Sequence, residues 1–309
     1  MSSVSAVRLP LPLRLAQLVR VLPEFRGRDR VLAALLRSGS RLDANVEGTF
    51  GGGLLFEGNP AADANVLELL LLRFARPALA PVLDAALAPG AVFADVGANL
   101  GLYTLWGARL VGAQGRVHAF EPVPKVRACL AHSVGLNGFG NVRIVAAGVG
   151  AEAGRTVLYQ LPCASGVTSR YRESKEHGVE VDVTTLDAEF GDDAAPPDLV
   201  KVDVEGMEVE VLRGARRLLA GRTPPLLVLE ANVQLFAAAG TSYGELRLLL
   251  REGCGYQLWA LTPGGLHLEP PDASAPGSLN VLAARPELPA HARVLERLAR
   301  VRFARNMNA

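Results

Sequence analysis

The chain has 309 residues, half of them hydrophobic, and its 32 basic and 31 acidic side chains leave a formal charge of +1. That length holds one large α/β domain with an appendage, and the apolar content is ample for a core. With no net basic field, nonspecific nucleic-acid binding is not expected to be the main activity.

The first forty-two residues are unusual. Eight arginines (8, 14, 20, 26, 28, 30, 37 and 41) stand against Glu24 and Asp29, and Leu11, Leu13, Leu15, Leu18 and Leu22 interleave with Arg14 and Arg20. Such a segment is a helical appendage packed on the main domain, a surface for peripheral membrane or partner contact, or a transit-like leader. It has no signal-type apolar core, and no run in the chain reaches the length of a membrane span. Residues 45–59 read as a hairpin around Gly51-Gly52-Gly53. Helices are expected at 63–74, capped by Asp63, and at 77–87, opened by Pro77. Residues 1–88 are therefore expected to be an N-terminal helical and hairpin extension, 89–288 the main domain, and 289–309 a basic C-terminal tail.

The main domain opens with an apolar strand at 92–96, running into Asp95-Val96-Gly97-Ala98-Asn99-Leu100-Gly101. A helix at 102–110 and a second strand at 116–120 follow, and Glu121 tips that strand. Strand, glycine turn, helix and acid-tipped strand make the first half of a nucleotide-type site, with a carboxylate placed to accept hydrogen bonds from a ribose. A dinucleotide needs backbone against its pyrophosphate, yet Asn99 stands where a second glycine would be, and Asp95 would repel a phosphate. S-adenosylmethionine has no phosphate and carries cationic groups, so nearby acids favour it. A helix is expected at 124–137 and a third strand at 141–145, with the small residues Ala146 and Ala147 at its tip suited to a flat adenine ring.

Two strands of an apparent hairpin, around 156–159 and 179–184, flank a polar loop at 162–178 containing Ser165, Thr168, Ser169, Tyr171, Arg172 and His177. Long polar loops over a site are usually functional, so this one is expected to recognise the acceptor. A strand at 199–202 then ends in Asp203-Val204-Glu205-Gly206 before a helix at 207–219. If the backbone stays extended, Asp203 and Glu205 share a face. A strand at 225–229 ends in Glu230, a helix is expected at 243–252 and strands at 256–261 and 280–284, the stretch 262–278 being a connection. The sheet is thus mostly parallel with one antiparallel edge strand. Cys129, Cys163 and Cys254 are odd in number and dispersed, and the five histidines are scattered, so no zinc site is expected and a reducing, cytoplasmic compartment fits.

Asp-Val-Gly-Ala-Asn-x-Gly at 95–101, Phe-Glu-Pro-x-Pro at 120–124, Leu136-Asn137, Thr185-Leu186-Asp187 and Lys-Val-Asp-Val-Glu-Gly-Met-Glu at 201–208 resemble the FkbM family of S-adenosylmethionine-dependent methyltransferases. The resemblance runs in order from Ala91 to Glu230. It implies a class I, Rossmann-like methyltransferase fold and O-methylation of a hydroxyl on a sugar, glycolipid or natural-product acceptor. By position it implies that Asp95, Gly97, Asn99, Gly101 and Glu121, with Ala147, hold the cofactor, and that Asp203 and Glu205 face the reaction centre. One departure is that many members carry a histidine just after the acid of the fifth strand, where this chain has Ala231-Asn232-Val233.

A hydroxyl acceptor benefits from a general base. Asp203 is the first choice, Glu205 the second and His177 the third. An alternative is that Asp203, Glu205 and Glu230 hold a hard cation such as Mg²⁺ or Ca²⁺. The rival function classes are an NAD(P)-linked oxidoreductase, which lacks an evident hydride-transfer pair here, and a methyltransferase-like domain kept only for binding.

Overall fold

The computed structural model describes residues 11–21, 45–59, 76–161, 164–169, 178–191, 195–269 and 278–303, with 30, 31, 34, 35 and 66 besides. Of the expected helix at 63–74 only Val66 falls within them, and His177 falls outside.

An antiparallel hairpin comes first, β1 (Val46–Phe50) and β2 (Leu54–Gly58). Next are β3 (Val92–Val96), β4 (Arg116–Phe120) and β5 (Val142–Val145). Strands β6 (Gly148–Val149), β7 (Gly154–Leu161), β8 (Ala164–Ser169) and β9 (Gly178–Thr184) form a separate sheet in the order β6-β9-β7-β8. The chain then supplies β10 (Leu199–Val202), β11 (Leu226–Asn232), β12 (Gln257–Thr262), β13 (Gly265–Leu268) and β14 (Ser278–Ala284). The main sheet has eight strands in the order β13-β12-β14-β11-β10-β3-β4-β5.

Five adjacent strands, β11, β10, β3, β4 and β5, are parallel. Strand β14 runs antiparallel between β11 and β12, and β13 is the antiparallel edge. The stretch expected as a plain connection after 262 thus contains a strand. Gly264 and Gly265 are the reason: Gly265 has φ +123°, and Gly264 N–H donates to Thr262 Oγ1, closing a tight hairpin. Likewise the polar loop after β7 contains β8, paired back onto β7. The single helix expected at 207–219 is two, Glu208–Arg213 and Arg216–Ala220. They part at Gly214, where a Cβ would lie 2.0 Å from the Gly150 carbonyl oxygen, so the neighbouring loop presses against bare backbone.

Alternation along the strands divides the core. Phe93 and Leu199 point into one apolar layer, Ala94 and Val200 into the other. The N-terminal hairpin belongs to the first layer: Phe50 and Phe56 pack with Leu105, Trp106 and Leu130 rather than forming a core of their own. It is also pinned to the Pro124–Leu136 helix by hydrogen bonds. Leu55 N–H donates to Asn137 Oδ1 (3.0 Å), Asn137 Nδ2 donates to the Leu55 carbonyl (2.7 Å), and Glu57 N–H donates to Ser133 Oγ (2.9 Å).

Because Asn137 serves one residue of β2 through both its donor and its acceptor, Asn137→Ala strands two backbone groups. It is expected to lower the unfolding free energy by about 1–3 kcal/mol. The urea midpoint checks this, and a midpoint equal to wild type would show that the hairpin docks without that contact.

Candidate functional site

The chain builds β3, β4 and β5 outward on one side and then β10 and β11 on the other, so strand order reverses between β3 and β10. In open α/β sheets ligands usually bind beyond the carboxyl ends of the strands at such a reversal. The carboxyl ends of β3, β4 and β10 bring Asp95, Gly97, Asn99, Gly101, Glu121 and Asp203 to this one edge.

Gly97 is where the turn is tightest. Its φ is +80°, and a Cβ there would sit 1.9 Å from the Asp203 carbonyl oxygen. Two independent constraints therefore demand glycine. The N–H groups of Gly97 and Ala98 both donate to the Phe120 carbonyl, tying the turn to β4. Gly101, at φ +93°, caps the Leu102–Val111 helix.

Lys201 is the hub of the floor. It lies in the middle of buried β10, with its ammonium 3.1 Å from Asp203 Oδ2, 3.4 Å from Asp95 Oδ1 and 3.4 Å from the Gly97 carbonyl. Its Nζ also lies 5.2 Å from the centre of the Tyr103 ring. Burial works against this charge, but Asp203 and Asp95 together outweigh it and the ammonium's pKa is raised. Asp95 is fully enclosed and takes a 2.6 Å hydrogen bond from Thr104 Oγ1. Burial pushes its carboxyl above the usual range, against the pull of Lys201 and Thr104. Asp95 thus turns inward and binds the helix to the strand, where the family resemblance implied a direct cofactor contact.

Asp203 follows directly on β10, and 34% of its side chain stays accessible. Burial raises its pKa, but Lys201 and a hydrogen bond with Glu230 more than reverse this, so the carboxyl is held below the usual range. Glu205 does not share its face. Strand β10 ends at Val202 and Glu205 adopts φ +54°, so the extended backbone that a shared face requires is absent. The bend is held by Glu208, buried at the start of its helix, whose carboxylate accepts from the N–H groups of Val204 and Gly206.

Glu121 is 6% exposed at the tip of β4. Asn99 N–H donates to its Oε2 (3.0 Å) and Val123 N–H to its Oε1 (2.8 Å). Each oxygen keeps a second lone pair for a ligand donor. Asn99, at φ +49°, has its Oδ1 buried with no hydrogen-bond partner. An orphaned acceptor beside a carboxylate with spare capacity suits a ligand rich in hydroxyl or ammonium donors and does not suit a phosphate. S-adenosylmethionine meets that demand. Ala147 is buried in the bend between β5 and β6. Lys201 and Glu208 bound the 201–208 motif but carry no role in it from sequence alone, and Thr104 lies outside the motifs. A lysine inside an apolar strand and a glutamate two residues past a glycine turn were the available signals. Among the described residues no group of three His, Cys, Asp or Glu side chains is arranged to hold a metal ion.

The family model described as Methyltransferase FkbM domain matches residues 95–258. Methyltransferase 1 of Beauveria bassiana is 31% identical, the match covering 39% of this chain and 56% of that protein. Methyltransferase sdnD of Sordaria araneosa is also 31% identical, over 39% of this chain and 58% of its own. The chain thus spans a little over half the length of these curated relatives. Among solved structures, a methyltransferase FkbM from Methylobacillus flagellatus KT aligns with a TM-score of 0.43 at 18% identity, over 65% of this chain and 48% of that one.

Glu121 and Glu208 share a property with a measurable consequence. Burial pushes both carboxyls up to about 7, against the backbone N–H groups that stabilise their charge. A folded-state pKa above the unfolded value means that the native state binds the proton more tightly. Stability is therefore fullest below the unfolded value and declines as pH rises from about 4.5 to about 7, by up to roughly 3 kcal/mol per group. In urea unfolding across that window, Glu208→Gln is expected to flatten the decline. An unchanged slope would show that Glu208 is not among its sources.

Proposed function

The chain belongs to the FkbM methyltransferase family, and on that footing we propose that it is an S-adenosylmethionine-dependent methyltransferase acting on a hydroxyl of a sugar, glycolipid or natural-product acceptor. The observation that carries the cofactor assignment is Glu121 at the tip of β4. Its oxygens are each held by one backbone N–H and each keep a lone pair for the neighbouring hydroxyls of a ribose. Asn99 adds its orphaned Oδ1 as a further acceptor, and Gly97 and Gly101 let the turn backbone come close.

S-adenosylmethionine, when bound, supplies a methyl group made electrophilic by its sulfonium. The protein's part in such a displacement is to position the acceptor, exclude water and take up a proton. Asp203 is the accessible acid on the crevice floor and is assigned to accept the hydrogen bond of the acceptor hydroxyl and then its proton. Lys201 keeps Asp203 ionised and fixes its direction, while Glu230 braces it from β11. An acid held below the usual range is a weak base, so orientation of the hydroxyl is the larger contribution expected of Asp203. Glu205, turned out of register by its backbone, takes a secondary place. Acceptor selection is assigned to the 162–178 segment between β7 and β9.

Two substitutions separate these roles. Glu121→Ala removes hydrogen bonds to a charged group and is expected to weaken S-adenosylmethionine binding by on the order of ten- to a hundredfold. Calorimetry on the folded variant checks it, and wild-type affinity would take Glu121 out of the cofactor site. Asp203→Asn keeps the shape but not the charge, and kcat should fall by on the order of a hundredfold while cofactor affinity changes far less. Equal losses in both would instead make Asp203 a cofactor-binding residue.

A further inference from the structure

The Leu11–Val21 helix has two apolar faces, and only one of them is used. Leu13 and Ala16 are 1% and 0% exposed, and Leu13 belongs to the same core layer as the hairpin. The helix is therefore anchored to the folded body. On the opposite side Leu11, Leu15 and Leu18 are 65%, 40% and 60% exposed. Their spacing of four and three residues aligns them along one stripe of an α-helix. Arg14, also exposed, flanks that stripe. A solvated helix face would carry polar residues at these positions, so the stripe needs an occupant.

We propose that this stripe docks the protein on an anionic lipid bilayer surface. Charge selects the occupant. Residues 1–42 hold eight arginines against two acids in a chain whose formal charge is only +1, so the remainder of the molecule is net acidic. An anionic surface attracts the segment and repels the rest, which turns the leucine stripe toward the lipid. Val31, in the same basic segment, is 42% exposed as well. A leucine stripe with basic flanks is the composition of a helix lying in the headgroup layer. Eleven residues are too few to span a bilayer, and no described helix is long and apolar enough to do so. A second copy of the chain is a poorer occupant, because three leucines on one helix bury far less than a stable protein interface requires. Like-charged segments would also face each other.

The test uses the full chain in co-sedimentation with phosphatidylcholine vesicles, with and without phosphatidylglycerol. Wild-type protein is expected to partition at least about tenfold more onto the phosphatidylglycerol vesicles, and to be released by added salt. The variant Leu11→Ser/Leu15→Ser/Leu18→Ser, which changes only exposed positions, should lose this binding. Its circular dichroism and its calorimetric affinity for S-adenosylmethionine should stay at wild-type values. The cofactor measurement stands apart from the lipid one, so failure of the methyl-donor assignment and failure of the docking proposal are separately visible. Docking is overturned if wild type ignores phosphatidylglycerol vesicles or if the triple variant binds them equally. It is also overturned if sedimentation equilibrium reveals a dimer that the triple variant abolishes.

Discussion

The ammonium of Lys201, buried between Asp95 and Asp203, is the interaction on which the site depends. A lone charge in that position would be prohibitively costly, and so would either acid without the lysine. Together they are tolerable because each of three strand or turn elements contributes a partner: β3 gives Asp95, the turn after it gives the Gly97 carbonyl, and the end of β10 gives Asp203. One side chain thereby fixes the separation of the two strands at which the sheet's order reverses. The crevice is consequently built on a rigid floor. The partly accessible acid Asp203 is charged and directed by the same contact that holds the strands.

The glycine turn follows from that floor. Gly97 lies so close to the Asp203 backbone that no side chain fits, and its carbonyl is already committed to Lys201. The turn must therefore leave β3 in a left-handed conformation. This carries Asn99 back toward β4, where its N–H reaches Glu121. Glu121 is held in turn by Val123, and Arg127 braces the same corner by donating to the carbonyls of Glu121 and Pro122. On the other strand Glu208 does the corresponding work, gathering the N–H groups of Val204 and Gly206. Each flank of the crevice thus uses a buried carboxyl to organise backbone. Both carboxyls carry raised pKa values for the same reason, since burial exceeds what two N–H donors return.

Much of this was legible in the residues. Short apolar strands ending in acids, with glycine at each turn, locate the crevice and its rim because a parallel sheet gathers strand ends on one side. What local pattern does not encode is which partner each acid meets. Asp95 and Asp203 look alike in sequence, both at the end of an apolar run. Only the pairing of β3 with β10 makes one an enclosed ion-pair partner and the other the accessible acid. The placing of Glu205 was not legible for a different reason: alternation holds only while the backbone is extended, and a non-glycine residue at φ +54° gives no local warning. The break at Gly214 and the insertion of β14 between β11 and β12 are tertiary in the same sense. Each depends on a segment distant in sequence, Gly150 in one case and the whole order of the sheet in the other.

Electrostatics ties the floor to the proposed methyl donor. Asp95, Asp203, Glu121 and Glu230 converge on the crevice end of the sheet, and Lys201 is the cation paired among them. Partial protonation of the raised carboxyls relieves some of the repulsion, yet the edge remains acceptor-rich. A phosphate placed there would face carboxylates at low effective dielectric, where each unit charge a few ångströms away costs kilocalories. A sulfonium or ammonium would gain by the same amount, and its arrival would draw Glu121 back toward the ionised form. The acids that burial makes costly to ionise are thus the ones a cationic ligand would stabilise, so cofactor preference and the pH sensitivity of folding have a common origin.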